Sequence, residues 1–352
     1  MDSHKLSERI QSVIDGLSKF GSDLRVFADP NTANEDKHTA LQNAVDQSHV
    51  HNAWFTPNNT LTALNAWGNL LQPQPLQNWL SHYTIDRDYD STVGIVMAGN
   101  LPLVGFHDLL CVLVSGHKAA VKLSSKDAFL IPVLVDMLTK HLPTWKGKVS
   151  FCKEQLKGHD KVIATGSNNS SRYFEYYFRN KPHLVRKNRT SVAILTGRET
   201  EDEVKGLAQD ITRYFGLGCR SVSKILVPKD YNFDMLFNAL YAEKDIIHHH
   251  AYANNYDYNR AIYLMGEENM LDNGFVLIKQ DTRLASPVGC LYFDYYDTME
   301  HAKKYLKEMA SEIQCVVGHL PEMETVPFGN AQFPNLDDYA DGVDTMAFLL
   351  KN

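Results

Sequence analysis

The sequence predicts an α/β protein: a dinucleotide-binding type of parallel sheet, with a second α/β segment behind it. Three observations predict this. From residue 91, short apolar runs alternate with amphipathic helical patterns, as parallel strands covered by helices require. The alternation resumes after residue 190 and runs to about 317. With 352 residues there is room for two domains.

The elements follow in order. Residues 1–85 read as mostly helical and polar, broken by Asp29-Pro30-Asn31 and Pro57-Asn58-Asn59; Trp54, Trp67 and Trp79 suggest a helical cap packed on something larger. Thr92–Met97 is a buried-strand candidate. Ala98-Gly99-Asn100-Leu101-Pro102 then turns into a helix expected over Leu101–Ser115, with Pro102 in its first turn and Gly116-His117 at its end. Ala119–Leu123 is the next strand and Asp127–His141 the next helix; Lys148–Cys152 and Lys161–Ala164 are further short strands. Beyond them come a strand at Thr190–Leu195 and a helix at Glu199–Tyr214. Strands at Lys224–Val227, Phe275–Ile278 and Gly289–Phe293 and a helix at Thr298–Glu312 complete the second segment. The tail from Phe328 is turn-rich and ends in the apolar Met346–Leu350. The expected organisation is a helical segment at 1–90 packed on the cofactor domain, a dinucleotide-binding domain at 91–189, a catalytic domain at 190–317 and a C-terminal return segment at 318–352.

Composition narrows the function. A net charge of −7 argues against general nucleic-acid binding, while leaving room for small anionic ligands that need only local positive charge. No apolar run is long enough to span a bilayer. The start, Met1-Asp2-Ser3-His4-Lys5, is polar, so a cytoplasmic location is expected. Cys111, Cys152, Cys219, Cys290 and Cys315 are scattered without metal-ligand spacing and read as reduced thiols, with Cys290 in the core. Adjacent histidines such as His248-His249-His250 do not all face one ion in regular structure, so no metal is expected. Tyr173, Tyr176, Tyr177 and Phe178 have partly helical spacing and are expected to pack; Arg179–Arg189 is locally basic, and a solvated face is expected there ahead of a contact with ligand phosphates.

Four short segments carry candidate chemistry. Cys219 lies in Gly216-Leu217-Gly218-Cys219-Arg220-Ser221, where two glycines permit a tight turn. If the polar residues after it open a helical turn, the thiol meets the positive end of a dipole, with Arg220 adding to the field. That favours thiolate, the nucleophilic form. The competing reading is a buried structural cysteine. Asn100 at a strand end either donates to an oxyanion or stabilises its own turn. Lys122, Ser124 and Ser125, at the end of the next strand, suit ribose and phosphate contacts, or merely turn in solvent. Gly166 and Ser167 lie between strand and helix, where backbone N–H groups hold a diphosphate or Ser167 simply caps the helix.

Taken together and in order, GIVMAGNLPL (94–103), AVKLSS (120–125), VIATGS (162–167), GLGCRSVSKILV (216–227) and SPVGCLYF (286–293) resemble the aldehyde dehydrogenase superfamily, and most closely its LuxC-type acyl-CoA reductase branch. The resemblance covers roughly residues 90–350. It implies an aldehyde-dehydrogenase-like fold with Cys219 as nucleophile, and Asn100 and the Cys219 backbone N–H as oxyanion donors. Lys122 falls on the lysine that binds the adenosine ribose. Gly166 and Ser167 fall on the turn approaching the cofactor diphosphate.

Departures from the superfamily sharpen the expectation. Leu184–Thr190 holds no acid where ordinary members carry the glutamate that activates hydrolytic water. Acyl exchange with coenzyme A is therefore expected in place of hydrolysis. Ser125 beside Lys126 stands where NAD-preferring members often have an acid, which points to NADPH, with NADH still possible. Thr282–Pro287 lacks the glutamate that usually holds the nicotinamide ribose. The expected activity is NAD(P)H-dependent reduction of an acyl-CoA, fatty acyl foremost, to the aldehyde, with an acyl-activating partner protein of the kind LuxC-type reductases work with. Another acyl donor on the same fold (acyl-phosphate or acyl-protein), or a non-catalytic accessory subunit, are the alternatives.

Overall fold

The computed structural model describes residues 8–31 and 39–351; the polar start Met1–Lys5 lies outside them. Five parallel strands make the first sheet: β1 (Thr92–Val96), β2 (Lys118–Lys122), β3 (Val149–Phe151), β4 (Lys161–Thr165) and β5 (His183–Arg186). Their order is β3-β2-β1-β4-β5. The chain steps one way from β1 to β2 to β3, then crosses to β4 and β5. Right-handed crossovers therefore place helix Phe106–Val114, which links β1 to β2, and helix Asn168–Phe178, which links β4 to β5, on opposite faces. The strand order reverses between β1 and β4, the position at whose carboxyl edge open α/β sheets bind their ligands. Both faces are covered, so β1, β2 and β4 read as nearly unbroken apolar runs with buried centres.

The N-terminal helices Glu8–Ala28, Thr39–His51, Pro57–Leu70 and Pro73–Leu80 belong to this unit, which comprises residues 1–187 and 335–352. Trp79 is buried, and Trp67 meets Phe106 edge-on at 4.9 Å, so the helical segment packs on the helix between β1 and β2. The last helix, Thr345–Leu350, returns to this unit. Lys161 Nζ donates to the carbonyls of Phe348, Leu349 and Lys351 at 3.3, 2.8 and 2.5 Å, capping that helix from the start of β4.

The second unit, residues 188–334, holds six strands: β6 (Thr190–Ile194), β7 (Val222–Pro228), β8 (Leu271–Asp272), β9 (Leu277–Gln280), β10 (Cys290–Tyr296) and β11 (Ile313–Val317). Their order is β11-β6-β7-β10-β9-β8, parallel except for the β8–β9 pair. Helix Glu201–Thr212 starts with a complete capping box between Thr200 and Glu203 and packs on β7. Among the described residues no helix is long and apolar enough to cross a membrane.

Three expectations fail here. The helix expected from Leu101 begins at Phe106. Leu103 takes a left-handed φ of 62°, and its N–H is held by the Asp127 carboxylate at 3.3 Å, a distant tether that outweighs the local helical pattern. Tyr173, Tyr176 and Tyr177 are exposed, with the Arg179 guanidinium 4.2 Å from the Tyr176 ring centroid; only Phe178 of that set is buried. The basic stretch 179–189 is not uniformly solvated: it contains β5, and Arg186 is 3% exposed.

Candidate active site

In the first unit, the three candidate segments of the sheet end at one edge. Val96 pairs with Lys122 on one side and with Ala164 on the other, so the loops after β2, β1 and β4 leave the sheet in one row. Lys122 closes β2 half-buried, and its carbonyl accepts the Met97 N–H at 3.0 Å. Asn100 lies exposed past the end of β1. Ser124 Oγ accepts the Lys126 N–H at 3.2 Å and its carbonyl accepts the Asp127 N–H at 3.1 Å, so Ser124 closes its own turn. Ser125 and Lys126 face solvent. Ser167 caps helix Asn168–Phe178, its Oγ accepting the Ser170 N–H at 3.3 Å.

Two glycines make this edge thin. A Cβ on Gly99 would sit 2.5 Å from Ser124 Oγ, and one on Gly166 would sit 2.8 Å from Ser170 Cβ and 2.9 Å from Phe174 Cε2. Backbone therefore stands where side chains do not fit, beside a helix N-terminus that presents N–H groups and the positive end of a dipole. This edge suits a diphosphate-containing dinucleotide.

Two supporting residues carry no signal in the sequence. Asn52 is 6% exposed, and its Nδ2 donates to the carbonyls of Gly99 and Lys126 at 3.3 and 3.4 Å, tying the loops after β1 and β2 together. Asp127 is 4% exposed; one oxygen holds the Leu103 N–H, and Oδ1 has no hydrogen-bond partner. Burial pushes its carboxyl up to about 7.

In the second unit, Cys219 lies half-buried in a turn at the amino end of β7, the strand between β6 and β10. The turn is closed by the Ser221 N–H donating to the Gly218 carbonyl at 3.0 Å, and by the Gly218 N–H donating to Ser221 Oγ at 3.1 Å. Ser191 Oγ donates to the Cys219 carbonyl at 3.0 Å and lies 3.1 Å from Cys315 Sγ. Before the turn, Tyr214, Phe215 and Gly216 take φ of 54°, 59° and 72° in succession. Two non-glycine residues in the left-handed region cost about 1–2 kcal/mol each, strain of the kind that clusters at functional sites.

The expected helix N-terminus at Cys219 is absent. The residues after the turn enter β7 directly, because β-branched Val222 pairs with Ser191 and draws the backbone into the sheet. A helix dipole therefore does not act on this thiol. Arg220 Nη1 donates to the Ala331 carbonyl at 3.5 Å. His249 caps helix His250–Met265, its Nδ1 accepting the Tyr252 N–H at 3.3 Å.

Solved structures with this architecture include an indole-3-acetaldehyde dehydrogenase in complex with NAD+ (TM-score 0.62, 12% identity, covering 89% of this chain and 72% of that one). An aldehyde dehydrogenase from Bacillus cereus in complex with NAD+ is similar at TM-score 0.59 and 13% identity, covering 88% and 71%. An acetylating aldehyde dehydrogenase from Geobacillus thermoglucosidasius reaches TM-score 0.60 at 12% identity, covering 91% and 78%. The chain thus has the aldehyde dehydrogenase fold. No curated protein matches it in sequence. The family model for acyl-CoA reductase (LuxC) matches residues 7–244, and the chain belongs to that family. It is an oxidoreductase of the acyl reductase and aldehyde dehydrogenase type.

Proposed function

We propose that the chain reduces a fatty acyl-CoA thioester to the aldehyde through an acyl group carried on Cys219, with NADPH as the nicotinamide cofactor. What carries this reading is the strained, glycine-flanked turn presenting Cys219 in a chain of the acyl-CoA reductase family. The Cys219 thiolate attacks the thioester carbonyl carbon. The carbonyl oxygen gains negative charge, and the Cys219 backbone N–H donates to it; losing such a donor costs about 3–4 kcal/mol of barrier, and the resemblance assigns the second donation to the Asn100 carboxamide. The carbonyl re-forms as the coenzyme A thiolate leaves, and Cys219 holds the acyl group as a thioester.

Lys122, Ser124, Ser125, Gly166 and Ser167 would hold the cofactor, and the row of loops with its two glycines fits a dinucleotide. The reduced nicotinamide supplies the two electrons when bound. Residues 184–190 hold no acid to activate water, which favours exchange with coenzyme A over hydrolysis. Ser125 and Lys126 bring no negative charge against a 2′-phosphate, and the neighbouring carboxyl, Asp127, is buried against Leu103. The resemblance extends the proposal to an acyl-activating partner protein that delivers substrate.

Incubation with palmitoyl-CoA or octanoyl-CoA without cofactor, followed by intact mass and peptide mapping, tests the reading. An acyl adduct on Cys219 is expected, discharged as aldehyde when NADPH is added and missing from Cys219→Ala, which still binds NADPH. Absence of any adduct, or an adduct that persists in Cys219→Ala, overturns it.

A further inference from the structure

We propose that Asp210 is a positioning residue for Cys219: its carboxylate holds the loop Phe328–Phe333 in place, and that loop fixes the turn carrying the thiol. The proposal rests on Cys219 being the nucleophile. Asp210 lies in helix Glu201–Thr212, is fully buried, and accepts two backbone N–H bonds from the loop, Gly329 to Oδ2 at 2.7 Å and Ala331 to Oδ1 at 3.0 Å. Helix and loop touch backbone to backbone. A Cβ on Gly206, one turn before Asp210, would fall 2.8 Å from the Gly329 nitrogen, and Gly329 itself has φ of 84°.

The loop in turn grips both residues that follow the thiol. The Ala331 carbonyl accepts from Arg220 Nη1 at 3.5 Å, and Gln332 Nε2 donates to Ser221 Oγ at 2.8 Å. That hydroxyl oxygen is the one that accepts the Gly218 N–H on the other side of Cys219. A continuous set of hydrogen bonds thus runs from Asp210 through the loop to Gly218, Arg220 and Ser221. Outside it, the Arg213 guanidinium lies 4.7 Å from the Phe333 ring centroid.

A carboxylate is a costly group to bury merely to fill space, and burial pushes this one up to about 6 against the two N–H bonds and the Arg213 charge. Its use here follows from acceptor count. Two oxygens take two N–H groups two residues apart, one each, where a hydroxyl or a carboxamide offers a single acceptor oxygen. The Cys219 N–H donates to the oxyanion in the proposed reaction. A small rotation of the turn misdirects that N–H and the thiol together, and a misplacement of about 1 Å costs on the order of 100-fold in rate.

The test uses Asp210→Asn, which keeps the shape and loses one acceptor, and Gln332→Leu, which breaks the second link and leaves Asp210 intact. Two rates are read at Cys219 by peptide mass spectrometry: acylation by palmitoyl-CoA and alkylation by iodoacetamide. Each variant is expected to slow acylation about 10- to 100-fold, with the apparent palmitoyl-CoA affinity changed less than about 3-fold. Alkylation is expected to change at least about 5-fold, and in the double variant the two effects do not multiply. Rates within about 2-fold of wild type in folded Asp210→Asn, or fully multiplicative effects, overturn the proposal. If the wild-type chain forms no acyl adduct, the functional reading fails, and the alkylation rates alone decide the role of Asp210.

Discussion

Arg186 and Asp108 form a buried ion pair in the first unit, Nη2 to Oδ1 at 3.0 Å, joining the end of β5 to helix Phe106–Val114. The same guanidinium donates to Thr345 Oγ1 and to the Ala340 carbonyl, both at 2.6 Å, so it also ties down the returning C-terminal segment. Removing one partner leaves the other charge buried and unpaired. Arg186→Ala is expected to cost about 3–5 kcal/mol in urea unfolding, and replacing both partners with apolar residues of similar volume less. Equal costs would show that Asp108 is not left stranded by the loss of Arg186.

Asp127 gives a pH dependence whose sign follows from proton counting. Between the ordinary 3.8 and about 7, the folded chain holds a proton at Asp127 that the unfolded chain has lost. The contribution is complete below 3.8 and is lost as pH rises to about 7. Asp127→Asn keeps an acceptor for the Leu103 N–H and does not titrate. Its stability relative to wild type is expected to rise from pH 5 to about pH 7 and then level off, with an upper bound of about 3 kcal/mol over that span. Parallel stability profiles would contradict this.

Ser125 is exposed next to Lys126 at the end of the loop after β2. A carboxylate there would oppose a 2′-phosphate and accept from ribose hydroxyls. Ser125→Asp is expected to shift the NADPH-to-NADH affinity ratio toward NADH by about tenfold or more, read by fluorescence titration. An unchanged ratio places the 2′-phosphate away from Ser125.

At Gly166 a Cβ would press on Ser170 and Phe174, in the first turns of helix Asn168–Phe178. Gly166→Ala is expected to weaken NADPH binding by about tenfold, because the helix start must move away from the loop. Unaltered binding would remove this turn from the cofactor site.

Much of the fold was legible where both faces of a strand are buried. Thr92–Val96 and Lys161–Thr165 are short apolar runs that admit no other reading in an alternating pattern. β5 was not legible, because His183 and Arg186 bracket it and the burial of Arg186 depends on Asp108, 78 residues away in sequence. β11 was hidden by Gln314 and Cys315 in its middle. The late helix start at Phe106 and the turn at Cys219 failed for one reason: each is set by a distant partner, Asp127 in one case and strand β6 in the other. Spacing on helix Asn168–Phe178 gave its period without revealing which side is covered, so three tyrosines expected to pack are exposed. The candidate residues at the sheet edge were legible because strand ends announce themselves by glycine, serine and lysine. Asn52 was not, since nothing in its own neighbourhood marks the two carbonyls it bridges.

The first unit is discontinuous: residues 335–352 complete it after the whole of 188–334 has intervened. During synthesis the residues of the second unit are therefore all made before those of the first are complete, although the second starts later. Until residues 340–351 emerge, Lys161 lacks its three carbonyl acceptors, and Arg186 lacks Thr345 and Ala340. A nascent chain stalled before residue 335 would carry the whole of the second unit and an open first one, whose exposed surface chaperones and proteases recognise.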